Sequence, residues 1–197
     1  MKKDIAFFDF DGTITNRDTL LEFIKFTKGR FLFYSGLALN LGYLIAYRLS
    51  IISNQTAKEK ILKFFFHNTP VQKFEEYCRR FSLRLLPSLL RPEALAEIKR
   101  LKEENVLVVV VSASPENWIE NWATANDLGL IASKLEISEG LITGKIVGKN
   151  CSGDEKVSRI NQAFDLSQFN IVAAYGDTNG DKPMLRLANR SFFKHFQ

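Results

Sequence analysis

The sequence predicts an α/β fold: a doubly wound, mainly parallel sheet interrupted by an inserted helical segment. Three observations predict it. Apolar, β-branched or aromatic runs at residues 5–8, 106–111 and 171–175 each end in small or acidic residues, the pattern of buried parallel strands with polar tips. Helical stretches alternate with strands over residues 93–197, which favours βαβ units and puts a binding site at the carboxyl ends of the strands. Residues 16–90, between the first two strands, carry few strand signals.

Ile5, Ala6, Phe7 and Phe8 form the first strand, and Gly12 breaks it where Asp9 and Asp11 emerge. Turns and helix caps also use aspartate. Two carboxylates in a low-dielectric crevice, however, repel strongly unless a cation or proton lies between them. Such a pair asks for Mg²⁺.

Within residues 16–90, the 17 residues from Phe31 to Tyr47 carry no charge and are flanked by Arg30 and Arg48. As one helix they would reach roughly 26 Å, the lower limit for crossing a bilayer. Ser35, Gly36, Asn40 and Gly42 weaken the case for spanning. We expect a buried helix, with a membrane-surface or re-entrant element as the alternative. Tyr34, Tyr43 and Tyr47 suit either, and the phenylalanines at 64, 65, 66, 74 and 81 are assigned to packing.

A helix from Pro92 to Asn105, with Leu95, Ile98 and Leu101 on one face, leads into the second strand. That strand ends in Ser112-Ala113-Ser114. Ser114 is expected to cap a helix that starts at Pro115, which sets Ser112 beside a helix N-terminus where backbone donors favour anions. Residues 135–147 look like a hairpin turning at Glu139-Gly140. Gly153-Asp154-Glu155-Lys156-Val157 opens another helix, with Asp154 as its cap or first-turn acid. Residues 171–175 form a further strand, and its tip reads Gly176-Asp177-Thr178-Asn179-Gly180-Asp181 before Lys182-Pro183-Met184-Leu185.

Taken together and in this order, the Asp9-Phe10-Asp11-Gly12-Thr13, Ser112, Lys156 and Gly176-Asp177…Asp181 segments resemble the four motifs of the haloacid dehalogenase superfamily. The resemblance implies a Rossmann-like catalytic core from residues 1–15 and 91–197, with residues 16–90 as a helical cap. That cap position is similar to subclass IB, which holds phosphoserine phosphatase-like and phosphatidylglycerophosphatase C-like enzymes. A long apolar stretch in the cap is shared with the latter. The implied reaction is phosphomonoester hydrolysis, with Asp9 as nucleophile forming an aspartyl-phosphate and Asp11 as general acid and then base. Ser112 and Lys156 would bind the phosphate. The implied Mg²⁺ ligands are the Asp9 carboxylate, the Asp11 main-chain carbonyl and Asp177, with Asp181 holding metal-bound water and Thr13 fixing the turn. Asp18 lies where phosphoserine phosphatases carry an acid that contacts the substrate amine.

The chemistry agrees with these residue types. Phosphomonoester oxygens repel an anionic nucleophile, so metal and ammonium charge must offset that repulsion. Three departures from the pattern stand out: Gly12 for a usual serine, Ser112-Ala113-Ser114 for a Ser-Gly-Gly turn, and Gly180 for an asparagine. Each is expected to alter a substrate or phosphate contact rather than the metal site. Phosphoserine phosphatase therefore stands as the alternative activity, and a phosphorylated lipid headgroup or small metabolite as the first. The rival from another class is a non-catalytic, membrane-associated interaction protein on the same scaffold. Six intact chemical residues, Asp9, Asp11, Ser112, Lys156, Asp177 and Asp181, speak against it.

Composition bounds the rest. A chain of 197 residues with 46% apolar content can bury a substantial core. Cys78 and Cys151 lie far apart without metal-ligand spacing, which argues for a reducing compartment. Met1-Lys2-Lys3-Asp4 leads straight into the first strand and leaves no room for a signal peptide, so a cytoplasmic protein is expected. Residues 16–90 carry 12 Lys and Arg against 5 Asp and Glu, a net +7, whereas the remainder carries 15 against 17, a net −2. A basic, apolar cap would attract an anionic substrate or the anionic inner face of a membrane. The acidic catalytic loops argue against nucleic acid, which is not expected as a partner, and His67 and His195 are expected to be structural or exposed. Oligomeric state has no signal in the chain.

Overall fold

The structure, a computed structural model, describes residues 2–197. Strand β1 (Lys3–Phe8) buries Ile5, Ala6, Phe7 and Phe8 completely. A central parallel strand is covered on both faces, which is why its apolar run does not alternate. The helical segment follows as α1 (Thr19–Leu39), α2 (Leu41–Arg48), α3 (Asn54–Phe66), a short strand β2 (Thr69–Pro70), α4 (Val71–Arg84) and α5 (Leu86–Leu89). The chain then builds α6 (Pro92–Glu103), β3 (Leu107–Pro115), α7 (Glu120–Ala125), β4 (Gly129–Ser133), β5 (Leu135–Ser138) and β6 (Leu141–Ile146). It ends with α8 (Asp154–Ala163), β7 (Phe169–Gly176), α9 (Lys182–Leu185) and β8 (Arg190–Phe193).

Five strands form one parallel sheet in the order β4-β3-β1-β7-β8. Counted among themselves they run third, second, first, fourth, fifth, a doubly wound order whose switch point lies between β1 and β7. Phe8 is in register with Val110 on one side and Tyr175 on the other. The next residues of β1, β3 and β7 therefore emerge together, on backbones about 4.8 Å apart.

Alternate side chains feed two layers, as the strand repeat of two demands. Ile5, Phe7, Val109 and Val111 pack with Ile160 of α8 and with Met184 and Leu185 of α9. Ala6, Phe8, Val108 and Val110 join the core beneath the helical segment. There Phe23 of α1 stacks on Trp118 at 4.7 Å and meets Phe66, Phe74 and Phe81 at 5.4–5.5 Å. The helical segment thus shares its core with one face of the sheet. The hairpin turns at Glu139-Gly140 as expected and leans on that segment: Thr69 pairs with Ile142, and the Ile146 amide donates to Glu59 Oε1 at 3.0 Å.

Two expectations are corrected here. Residues 31–47 do not form one buried helix. Gly29, at φ +78°, interrupts α1, and the chain breaks again at Asn40 before α2. Only Phe33, Gly36 and Asn40 of the apolar run are buried. The contact is one narrow face against α3, where Gly36 lies so near that a Cβ would sit 2.3 Å from the Phe65 ring. Leu37 and Leu44 are half-buried against the same core, while Phe31, Leu32, Leu39, Leu41 and Ile45 are exposed. No helix among the described residues is long and apolar enough to cross a membrane.

Ser114 is not a helix cap. β3 continues through Pro115, a single turn spans Glu116–Trp118, and α7 starts only at Glu120. The Ser114 hydroxyl is taken by Asp11 instead. At the other predicted helix start, Gly153 holds the cap position and Asp154 lies in the first turn of α8.

Candidate active site

Asp9 leaves β1 with its amide donating to the Tyr175 carbonyl of β7 at 2.9 Å. Its Oδ1 accepts from Lys156 Nζ at 2.6 Å. Lys156, in the first turn of α8, is wholly buried; its ammonium also meets Asp181 Oδ1 at 2.7 Å and donates to the Val111 carbonyl of β3. One cation thus ties three strand tips together. Asp181 Oδ2 accepts from the Thr178 amide (2.8 Å), the Thr178 hydroxyl (2.7 Å) and the Asp177 amide (3.2 Å), which closes the acidic loop on itself.

Charge is not balanced at this point. Asp9, Asp177 and Asp181 each offer an oxygen, all within 4.8 Å of one another, against a single lysine. Burial, helped by Asp181 and Asp11, pushes the Asp9 carboxyl up to about 7 in spite of Lys156. Burial and the same acidic neighbours raise Asp177. For Asp181 burial is outweighed by Lys156 and the Thr178 donors, which hold it below the usual range. Burial likewise opposes the charge on Lys156, but Asp9 and Asp181 raise its pKa well above that of an ordinary lysine.

Asp177 Oδ1 is buried without a hydrogen-bond partner. An orphaned carboxylate oxygen within an excess of negative charge fits a hard divalent cation such as Mg²⁺, which takes oxygen ligands and keeps part of its water. Gly12 adjoins this spot. Its φ is +82°, and a Cβ would lie 2.3 Å from Asp177 Oδ2. A side chain at this position would meet the Asp177 carboxylate, so the departure at Gly12 adjoins the acidic cluster.

Asp11 belongs to a second network. Its Oδ1 accepts from the Thr19 amide (2.7 Å) and hydroxyl (2.6 Å), and its Oδ2 from the Ser114 hydroxyl (2.6 Å) and, at 3.5 Å, the Ser112 hydroxyl. Trp118 Nε1 donates to Thr19 Oγ1 at 3.0 Å, and the Ser114 amide to Ser112 Oγ at 3.0 Å. Thr13 donates to Asp9 Oδ2 at 3.3 Å. Asp18, exposed toward the cavity, caps α1 by accepting from the Leu21 amide; desolvation and the charge of Asp11 raise its carboxyl.

A cavity of about 420 Å³ opens between the strand tips and the helical segment, with Asp9, Asp11, Asp18, Tyr47, Lys58 and Lys156 in its wall. Asp181 and Ser114 also reach it, while Ser112, Thr13 and Asp177 stand beside these residues in the contacts above. Lys58 of α3 was missed by sequence reasoning. Its Nζ donates to the Ala113 carbonyl at 2.8 Å and to Asn150 Oδ1 at 3.4 Å, and burial lowers its pKa although Asp11, Asp18 and Asp9 pull the other way. Thr19 was missed too. Its one signal is its position directly after the cap residue Asp18, whereas Lys58 looks like any solvated helix lysine.

The haloacid dehalogenase-like hydrolase family profile matches residues 6–186. The protein CicA of Caulobacter vibrioides is 34% identical over 195 residues, covering 96% of this chain and 85% of that protein. A solved structure of a protein with unknown function from Bordetella pertussis Tohama I superposes with TM-score 0.83 at 22% identity, over 97% of this chain and 89% of that one. A phosphoserine phosphatase solved as a phospho-aspartyl intermediate analogue has TM-score 0.63 at 21% identity, over 97% and 86%. Those two structures share the Rossmann-like fold. By the family profile, which spans most of its length, the chain belongs to the haloacid dehalogenase-like hydrolases.

Proposed function

We propose that this protein is a Mg²⁺-dependent phosphomonoester hydrolase of subclass IB that forms an aspartyl-phosphate on Asp9. The observation that carries the reading is the Asp9–Lys156–Asp181 chain at the strand tips, next to the unpartnered Asp177 oxygen. Family membership supports a hydrolase, and the fold shared with phosphoserine phosphatases supports phosphate esters as the substrate class.

Lys156 occupies Asp9 Oδ1, while Oδ2 has only the 3.3 Å contact with Thr13. Its lone pairs are therefore the ones free to attack phosphorus. As the bond from Asp9 to phosphorus forms, the bond to the leaving oxygen breaks, and a protonated Asp11 gives that oxygen its proton. Asp11 then takes a proton from the water that attacks the same phosphorus, which regenerates the Asp9 carboxylate and releases inorganic phosphate. Thr19 and Ser114 orient Asp11 for both transfers. Lys156 and the donors around Ser112 offset charge on the phosphoryl oxygens. Held by Asp9, Asp177 and the Asp11 carbonyl, with Asp181 in support, Mg²⁺ would supply the charge that lets an anionic nucleophile approach an anionic ester.

The helical segment 16–90 acts in this reading as the cap that selects the leaving group, a small phosphorylated metabolite or a phosphorylated lipid headgroup. Asp18 and Lys58 favour a second reading, since opposite charges on one cavity wall suit a zwitterionic leaving group such as serine. Free, buried Cys78 and Cys151 support a cytoplasmic site of action. Phosphate release from p-nitrophenyl phosphate with Mg²⁺, abolished by EDTA and by Asp9→Asn, is the expected result. A panel of sugar phosphates, phosphoserine, nucleotides and phospholipids then separates the two readings. No turnover on any of them would favour the non-catalytic scaffold.

A further inference from the structure

The apolar run that the fold leaves uncovered is the most unusual surface of the molecule. Phe31 is 83% exposed, Leu39 76%, Ile51 71% and Leu49 65%, with Leu32, Leu41 and Ile45 also open. These residues lie on two adjoining helices, the second half of α1 and α2, and on the turn that follows; both helices pack on α3 by their opposite side. Single exposed leucines are ordinary, but a run of this kind marks an interaction surface.

Charge identifies the partner. From Phe23 to Ala57 the chain has no Asp or Glu, while Lys28, Arg30 and Arg48 are basic; Lys25, near the start of α1, is paired with Glu22 at 2.9 Å, and Lys58 belongs to the cavity wall. Lys60, on α3, lies over the Tyr43 ring at 5.2 Å, at the border of the same surface. An apolar run bordered by Arg30, Arg48 and Lys60, with no acid between residues 23 and 57, complements an anionic lipid surface, where rings and aliphatic chains enter the interface and long basic side chains meet the headgroups. A second copy fits poorly, because a two-fold contact would set Arg30 and Arg48 of both copies against each other without a carboxylate in the segment to pair them.

We propose that residues 30–51 dock this protein on an anionic membrane surface. Tyr47 of α2 also lines the cavity that holds Asp9 and Asp11, and Asn54 donates to its hydroxyl at 3.1 Å. Docking would therefore bring the cavity mouth to headgroup level. This consequence for substrate access rests on the hydrolase reading; the docking does not.

The test is vesicle flotation of the full chain with phosphatidylcholine alone and with phosphatidylcholine and phosphatidylglycerol in equal parts. The wild type should float with the anionic vesicles only, and less so at high salt. Leu32→Ser with Leu39→Ser and Ile45→Ser should cut partitioning about tenfold or more, and Arg30→Glu with Arg48→Glu should abolish the preference for anionic lipid. Far-UV circular dichroism and hydrolysis of p-nitrophenyl phosphate should stay at wild-type levels in both variants. Wild type that remains unbound, or a serine variant that floats as well as wild type, overturns the proposal. So does a dimer in sedimentation equilibrium that the serine variant dissolves. Should the wild type show no hydrolysis at all, the hydrolase reading fails while flotation still decides the docking.

Discussion

At the scale of the residue, the site is three clustered carboxylates, two of which, Asp9 and Asp181, share one buried ammonium. Lys156→Met would leave Asp9 and Asp181 facing each other unpaired, and breaking a buried pair of this kind costs about 3–5 kcal/mol; urea unfolding should show the loss. Asp11→Asn should lower kcat by about 10²–10⁴ with little change in KM, the range for losing a general acid or base. pH offers an independent check. Asp9 titrates near 7 in the folded protein against 3.8 ordinarily, so between those values the folded chain keeps a proton that the unfolded chain has released. That contribution to stability is complete below the lower value and is lost as pH rises through the upper one. Cation-free wild type should therefore melt lower at pH 8 than at pH 6, Asp9→Asn should show a smaller drop, and Mg²⁺ should raise the wild-type midpoint most at pH 8. Equal pH profiles for the two proteins would contradict the assignment.

At the scale of the element, the strand tips do the positioning. β1, β3 and β7 are neighbours, so an aspartate that ends one strand, serines that end the next and an acidic loop that follows the third must meet. These parts were legible in the sequence because each is local: an apolar run, a Gly break, a short polar string. Ser114 was read as a helix cap because a serine before a proline carries the same local signal whether the strand ends there or runs one residue further. Thr19 and Lys58 were not legible, since what distinguishes them is the tertiary path of α1 and α3 over the sheet. The run 31–47 failed for a related reason: hydropathy reports that side chains are apolar, not whether protein is available to cover them. Aromatic packing joins the helical segment to the sheet, so Phe23→Ala should cost about 3–5 kcal/mol and yet leave a single cooperative transition. A separate early melting step for the helical segment would show that it holds its own core.

At the scale of the whole molecule, charge is divided: a helical segment of net +7 stands against a remainder of net −2, whose Asp9, Asp177 and Asp181 cluster at the tips of β1 and β7. The overall +5 hides this division. Arg30 and Arg48 of the basic part are exposed beside its apolar helices, while Lys58 joins Asp9, Asp11 and Asp181 in the wall of a cavity of about 420 Å³. If that cluster takes Mg²⁺ without ligands in the unfolded chain, a cation concentration about 100 times its Kd should stabilise the protein by about 2.7 kcal/mol, and Asp177→Ala should remove the effect. The most direct test of the central claim is to quench the protein in acid during turnover of an aryl phosphate with Mg²⁺ and map its peptides by mass spectrometry. A phosphoryl group is expected on the peptide that contains Asp9, absent in Asp9→Asn. Turnover without that adduct, or a phosphoryl group on another residue, would contradict it.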